Sequence, residues 1–334
     1  MIIVTGGSGF IGSNIVAALQ DQRGVTDIVV CDYMEEGDKW KNLSKRELRD
    51  IIHPSEIFDF MEAHAEEISM VFHMGAISST TETDVDLITQ TNLNLSNDLF
   101  DFCGQHDIRL VYASSAATYG DREEGFDDNE DITDMAKLRP MNAYGWSKCA
   151  FDRRVLREVE KAKNNPDVCL PPQWSGLKFF NVYGPNEYHK GEQMSVICKL
   201  FPTLKDGGVA KLFKSHRPDY TDGGQSRDFV YVKDCVNVML WLYDNAHVSG
   251  IFNVGTGEAR SFADLAKAVF AALEIPENIE FIEMPNILKD KYQYFTQANM
   301  NKLREAGYQK EFYSLEDGVK DYVQNYMNTE DKYA

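Results

Sequence analysis

The stretch Ile2-Ile3-Val4-Thr5-Gly6-Gly7-Ser8-Gly9-Phe10-Ile11-Gly12 constrains the fold more than any other part of the chain. Ile2–Thr5 reads as a strand, and glycines follow at once, before a segment with helical spacing over Ile11–Gln22. A strand passing through a glycine turn into a helix is the entry to a βαβ unit, so a parallel sheet is expected. Gly6, Gly9 and Gly12 keep GxxGxxG spacing. Such a turn lets the backbone approach a pyrophosphate, while the helix N-terminus adds positive potential. Asp32 closes the next strand, 20 residues beyond the last glycine, where a carboxylate can accept from ribose hydroxyls. Strand, turn, helix and acid in register point to a dinucleotide; a turn that serves only the fold is the alternative.

The same rhythm continues. Apolar runs at Ile28–Cys31, Met70–Met74, Leu110–Ser114 and Leu177–Asn181 alternate with helical stretches such as Leu93–Gln105 and Ser147–Lys163. Their continuous hydrophobicity fits strands buried on both faces. After Gly184-Pro185 the pattern loosens: Ser215–Gln225 reads as a loop, Asp228–Val232 and Ile251–Val254 as strands, and Val236–Asn245, Phe262–Leu273 and Leu315–Met327 as helices. With 334 residues, 43% of them hydrophobic, the chain can bury a large core. The expected architecture is α/β. A Rossmann-type doubly wound parallel sheet, from residues 1–184 plus about 228–257, carries the dinucleotide. A smaller, discontinuous α/β substrate-binding lobe comes from about 185–227 plus 258–334.

Net charge of −19 argues against a nucleic-acid partner, which needs a basic footprint. Any anionic ligand must be held by local donors. No run reaches the roughly 18 apolar residues of a membrane span, and the chain starts directly in a strand without a basic leader, so a cytoplasmic protein is expected. The six cysteines (Cys31, Cys103, Cys149, Cys169, Cys198, Cys235) lack CxxC or His-paired spacing. Buried reduced thiols are expected, with no metal site.

Chemistry enters with Asn142-Ala143-Tyr144-Gly145-Trp146-Ser147-Lys148. Residues four apart share a helix face, so the Lys148 ammonium can sit beneath the Tyr144 phenol. A nearby cation lowers a phenol from its ordinary value of about 10 toward the range of a working general base. The spacing alone also arises by chance in many helices.

Taken together, GxxGxxG, Ala113-Ser114-Ser115-Ala116-Ala117-Thr118-Tyr119-Gly120 and the Tyr144/Lys148 pair resemble the extended short-chain dehydrogenase/reductase family of nucleotide-sugar epimerases and dehydratases. The resemblance spans nearly the whole chain. Within that family it is similar to the branch that epimerises ADP-heptoses, at His73–Glu82, at Phe180–Pro185 with His189-Lys190-Gly191, at Arg227–Val232, and at Tyr292-Gln293 with Thr296-Gln297. The resemblance implies Tyr144, Ser115 and Lys148 as catalytic residues on one side of the reacting carbon, and Lys190 as a second acid/base. The physical need for a second group is clear: hydride leaves and returns at one nicotinamide face, so inversion requires the transient ketone to turn over and leave its first proton partner. A buried lysine has its pKa lowered into a useful range.

The same resemblance implies cofactor contacts from Gly6, Gly9, Phe10, Ile11, Gly12, Asp32, Tyr33, Lys39, Met74, Gly75, Ala76, Ile77, Ser78, Asn92, Tyr144, Lys148, Val182 and Lys190. It implies substrate contacts from Ser79, Asn181, Glu192, Lys199, Phe213, Lys214, Ser215, His216, Arg227 and Tyr292. A guanidinium fork at Arg227 suits a diphosphate, or a structural ion pair; Tyr292 also suits core packing. The cofactor implied is NADP, tightly bound and regenerated each turnover, with NAD left open because Asp32 repels a 2′-phosphate that Lys39 can neutralise. The implied partners are an ADP-heptose and further copies of the chain, a pentamer in that branch, and the implied pathway is lipopolysaccharide core synthesis. Several positions depart from the pattern: Glu192 and Lys199 among the substrate contacts, Met74 in place of an acid, and a longer Ser215–Gln225 loop. Another nucleotide-sugar epimerase or dehydratase is the second reading, although Ala116-Ala117 lacks the acidic pair a dehydratase wants. A non-catalytic dinucleotide sensor is the third, disfavoured by the intact Tyr and Lys.

Overall fold

The computed structural model describes residues 1–120, 126–285 and 293–334. Its strands are β1 (Ile2–Thr5), β2 (Ile28–Cys31), β3 (Asp50–Ile52), β4 (Met70–His73), β5 (Arg109–Ser115), β6 (Trp174–Phe179), β7 (Asn181–Tyr183), β8 (Ala210–Phe213), β9 (Ser226–Tyr231), β10 (Gly250–Val254), β11 (Ala259–Ser261) and β12 (Ile279–Ile282). Seven of them form one parallel sheet in the order β10-β6-β5-β4-β1-β2-β3. The expected doubly wound α/β fold is what the chain forms.

The order places a functional crevice. The chain runs outward from β1 through β2 to β3, then returns to build the other half from β4. The reversal between β1 and β4 opens a crevice beyond the strand C-termini, where open parallel sheets bind ligands. Register aligns those ends: Thr5 stands beside both Cys31 and His73, and His73 beside Tyr112. Gly6, Asp32 and Met74 therefore leave the sheet at one level.

Two apolar clusters lie beneath and beside this edge. One collects the large-sheet strands with the helices Phe10–Arg23, Leu95–Gln105, Ala143–Ala162 and Val232–Asp244. The other unites Ile197, Leu200, Phe201 and Leu204 with Leu265, Val269, Phe270, Leu315, Val319 and Tyr322. Flanking it are a three-stranded sheet, β11-β9-β7, and a two-stranded one, β12-β8.

Where sequence and structure differ, the reasons are local. Leu177–Asn181 is not one strand: β6 ends at Phe179 and the chain re-forms as β7, whose partner is β9. The catalytic helix starts at Ala143 rather than Ser147, because Asn142 caps it by accepting from Gly145 N at 2.8 Å. Short β3, β7, β8, β11 and β12 carry too little periodicity to be read, and Pro202 inside the helix Val196–Lys205 argues against a helix there. Five cysteines are buried as expected, but Cys169 is exposed. Among the described residues no helix is long and apolar enough to cross a membrane.

Candidate active site

At Gly6 the backbone has φ +64°, and a Cβ there would lie 2.6 Å from the backbone of Gly75. At Gly12 it would meet the carbonyl oxygen of Gly6 at 2.1 Å. The turn is thus pressed between the β4 exit and its own helix, and side chains are excluded so that backbone can face the crevice. Asp32 is nearly buried, and its Oδ2 accepts from Ser8 N (2.9 Å) and Ser8 Oγ (2.5 Å). Lys39 Nζ pairs with its Oδ1 at 2.9 Å and donates to the Tyr33 carbonyl. Lys39 is therefore not a solvated surface lysine.

Behind the β4 exit lies a buried polar chain. Thr5 Oγ1 contacts His73 Nδ1 at 2.6 Å, and His73 Nε2 contacts Ser96 Oγ at 2.8 Å. Burial, with the Lys148 charge second, holds His73 down at about 3, so it stays neutral. A π-helical turn, Thr89–Asn94, points Asn92 at the same loop. Asn92 accepts from Ile77 N (2.8 Å) and donates to Ile77 O (3.0 Å) and Ser147 Oγ (3.2 Å). One amide thus fixes the Gly75–Ser78 loop to the helix that carries Tyr144.

Ser115 ends β5 and caps the turn Ala116–Tyr119 by accepting from Ala117 N. Its hydroxyl also stands near enough to the Tyr144 phenol to favour the ionised form. Here the structure corrects an expectation. Lys148 does not lower the phenol: burial raises Tyr144, Ser115 works against that rise, and Asp152 adds to it. Desolvation dominates at both groups: it raises the phenol and draws Lys148 down to about 8. Lys190 approaches from the turn after β7, its ammonium 4.9 Å from the Phe10 ring centroid. Burial lowers its pKa, and the fully buried Glu187 opposes that fall.

These groups line one cleft of about 800 Å³. Of the residues named from sequence, it brings together Gly6, Gly9, Phe10, Ile11, Gly12, Asp32, Lys39, Met74, Gly75, Ala76, Ser78, Ser79, Ser115, Tyr144, Lys148, Asn181, Val182, Lys190 and Glu192. Ile77 and Asn92 stand behind the lining, acting through the loop they brace. Tyr33 is half exposed against His53 instead. Lys199 donates to the Glu192 carbonyl, and Lys214 pairs with Glu283 at 2.9 Å. Phe213, Ser215 and His216 lie off the lining, with His216 Nδ1 2.7 Å from Tyr294 OH. Arg227 is buried against the ring of Phe262, which does line the cleft. Tyr292 lies outside the described residues. Lining residues that sequence reasoning left unassigned include Phe180, His189, Gln193, Met194, Phe229 and Phe262. The aromatics look like core in any periodicity; Gln193 is found only through its contact with Ser78 Oγ at 2.9 Å.

Residues 2–255 match the model of the NAD dependent epimerase/dehydratase family. The chain belongs to that family. An ADP-L-glycero-D-manno-heptose-6-epimerase from Fusobacterium nucleatum is 47% identical over 341 residues, covering 100% of each chain. Among solved structures, the ADP-L-glycero-D-manno-heptose-6-epimerase of Helicobacter pylori superposes with a TM-score of 0.77 at 27% identity, over 97% of this chain and 95% of that one. A Thermus thermophilus UDP-glucose 4-epimerase in complex with NAD gives 0.74 at 26%, over 96% and 97%. A nicotinamide dinucleotide, the cofactor of this family, fits the crevice. The side-chain-free cradle at Gly6, Gly12 and Gly75 suits pyrophosphate, and Asp32 with Lys39 offers an acceptor and a cation for the ribose.

Proposed function

We propose that this family member inverts C6 of the heptose in ADP-D-glycero-D-manno-heptose, giving ADP-L-glycero-D-manno-heptose through a 6-keto intermediate. The observation that carries the reading is the presence, in one cleft, of two independent proton carriers: Tyr144 with Ser115, and Lys190 on a different segment. A simple dehydrogenase needs one. The full-length relationship to a named 6-epimerase fixes the sugar class.

The chain's groups divide the work. Ser115 orients the C6 oxygen; because burial raises Tyr144, the phenolate would have to be favoured by the positive ring of a bound nicotinamide for Tyr144 Oη to take that proton as the carbon is oxidised. Lys148, beside the phenol on the helix, holds the nicotinamide ribose. The bound nicotinamide supplies the reversible hydride acceptor. Asn181 and Glu192, on the cleft wall, hold the sugar while it turns about its exocyclic bond. Lys190 Nζ then gives the proton to the oxygen on the second side, and the reverse reaction exchanges the roles. Burial supports that role, since it lowers the pKa of Lys190 and so eases the release of its proton, with Glu187 acting against the fall. Arg227 backs the Phe262 wall of the cleft from behind. The cofactor in this reading is NADP, whose 2′-phosphate Lys39 would be the cation to hold, with Ser8 donating to the Asp32 carboxylate. A homo-oligomer in the cytoplasm belongs to the same proposal.

The test is incubation of the purified protein, without added cofactor, with ADP-D-glycero-D-manno-heptose, followed by NMR of the sugar. Conversion to the C6 epimer is expected. An unchanged sugar, from protein shown to hold its dinucleotide, overturns the assignment.

A further inference from the structure

Beneath the catalytic wall lies an ion pair that the mechanism does not use. Asp152 and Lys178 are 2.6 Å apart, with side chains 0% and 1% exposed. A buried pair of this kind stabilises a fold little, because two charges must be stripped of water; apolar residues of similar volume often do as well. Its place suggests another use. Asp152 lies four residues after Lys148 and eight after Tyr144, on the buried stripe of the helix Ala143–Ala162. Its Oδ2 accepts from Lys178 Nζ and from Ser114 Oγ (2.7 Å), its Oδ1 from Tyr112 OH (3.2 Å). Lys178, next to last in β6, also donates to Thr118 Oγ1 at 2.7 Å. Thr118 in turn donates to the Ser115 carbonyl at 2.8 Å. One pair therefore ties the helix of Tyr144 and Lys148 to the strand end of Ser115.

We propose that Asp152, anchored by Lys178, is a positioning residue of the catalytic wall: it supplies the anion that keeps buried Lys148 cationic while the pair locks Ser115 and Tyr144 in register. Lys148 is 2% exposed, and burial already draws it down to about 8, with Asp152 the group acting against the fall. Among the described residues Asp152 is the anion that acts on it: Tyr144 shares its helix, His73 faces it from β4 as a neutral ring, and Tyr112 from β5 and Lys178 from β6 bind the carboxylate itself. Take away Asp152 and Lys148 loses its proton nearer neutrality.

The use assigned to the Lys148 charge rests on the epimerase reading, so the experiment carries one readout independent of turnover. In protein purified with its dinucleotide and labelled with ¹⁵N-lysine, the Lys148 Nζ resonance is assigned by its loss in Lys148→Arg and titrated. Asp152→Asn should move the midpoint down by about one pH unit, and the double variant Asp152→Asn with Lys178→Met should move it down by less, because a neighbouring cation is lost with the anion. The alkaline limb of epimerisation should move with it. Thermal stability behaves differently: it falls in the single variant and recovers in the double one, where no charge is left unpaired. A folded Asp152→Asn protein with an unmoved Lys148 midpoint and an unmoved limb overturns the proposal and leaves the pair as packing. A shifted midpoint in a protein whose wild type does not epimerise supports the role of the pair and overturns the epimerase reading alone.

Discussion

The two regions of the cleft to which the proposed mechanism assigns proton transfer are built on different principles. Tyr144 and Lys148 stand on a 20-residue helix braced by β5, with Ser115 at the strand end. Lys190 stands on a turn between β7 and the helix Val196–Lys205. That turn is held by side chains rather than by ladders. Asn186 sits in the left-handed region at φ +73° and donates to Ser13 Oγ at 3.0 Å; its carbonyl accepts from Asn42. Glu187 accepts from Ser195 N and Oγ at 2.5 and 2.7 Å. Both lysines are desolvated, and each has one buried carboxylate working against the loss of its proton: Asp152 for Lys148, Glu187 for Lys190. Regular structure and irregular structure arrive at the same electrostatic solution. A rigid wall suits the group that must meet a fixed cofactor, and a side-chain-held turn suits the one that must meet a substrate that rotates.

The contrast can be broken by substitution. Tyr144→Phe removes the phenolic proton carrier, and kcat should fall by roughly 10²–10⁴-fold with the dinucleotide retained, as read by steady-state kinetics and the absorbance of the purified protein. Normal turnover would remove Tyr144 from the mechanism. Lys190→Met should cost at least about 10²-fold in kcat with a melting curve near that of the wild type; a collapse of the fold would instead make Lys190 a structural residue. Gly12→Ala forces a Cβ onto the Gly6 carbonyl, so bound dinucleotide should be lost and stability should fall by about 1–3 kcal/mol in chemical denaturation.

A pH prediction separates the rigid wall from its surroundings. His73 has an ordinary value of 6.5 and is held at about 3, so above pH 6.5 it is neutral in both folded and unfolded chains. As pH falls from 6.5 toward 3, only the unfolded chain takes up the proton, and stability drains away by a few kcal/mol. His73→Asn should flatten that slope in urea midpoints measured across the window. The smallest effect belongs to Asn142→Ala, which removes the cap of the Tyr144 helix and should cost about 1 kcal/mol, with kcat little changed.

How much of this was legible differs between the two regions for the same reason. β1, the glycine turn, Asp32 and the Tyr144/Lys148 face are written in short-range spacing, which a single chain displays. Lys190 has no such spacing, and family resemblance alone singled it out. The Asp152 and Lys178 pair left a faint mark, a lysine between Leu177 and Phe179 in a central strand. A charge there demands a buried partner, but the partner is 26 residues away and found only in space. Family resemblance alone implies Lys214, Ser215 and His216 as substrate contacts, and the fold sets them off the cleft lining. Tyr144 itself was placed correctly, but the sign of its shift was not, because spacing counts charges and does not weigh desolvation.

The central claim is that Tyr144 and Lys190 serve opposite sides of one transient ketone. Its most direct test is a single-turnover measurement, by stopped-flow absorbance of cofactor reduction, started separately from each C6 epimer in wild type, Tyr144→Phe and Lys190→Met. A crossed result is predicted: Tyr144→Phe slows oxidation chiefly from one epimer and Lys190→Met chiefly from the other. If both substitutions slow the same epimer and spare the other, the two residues act on one side, and the two-sided account is wrong.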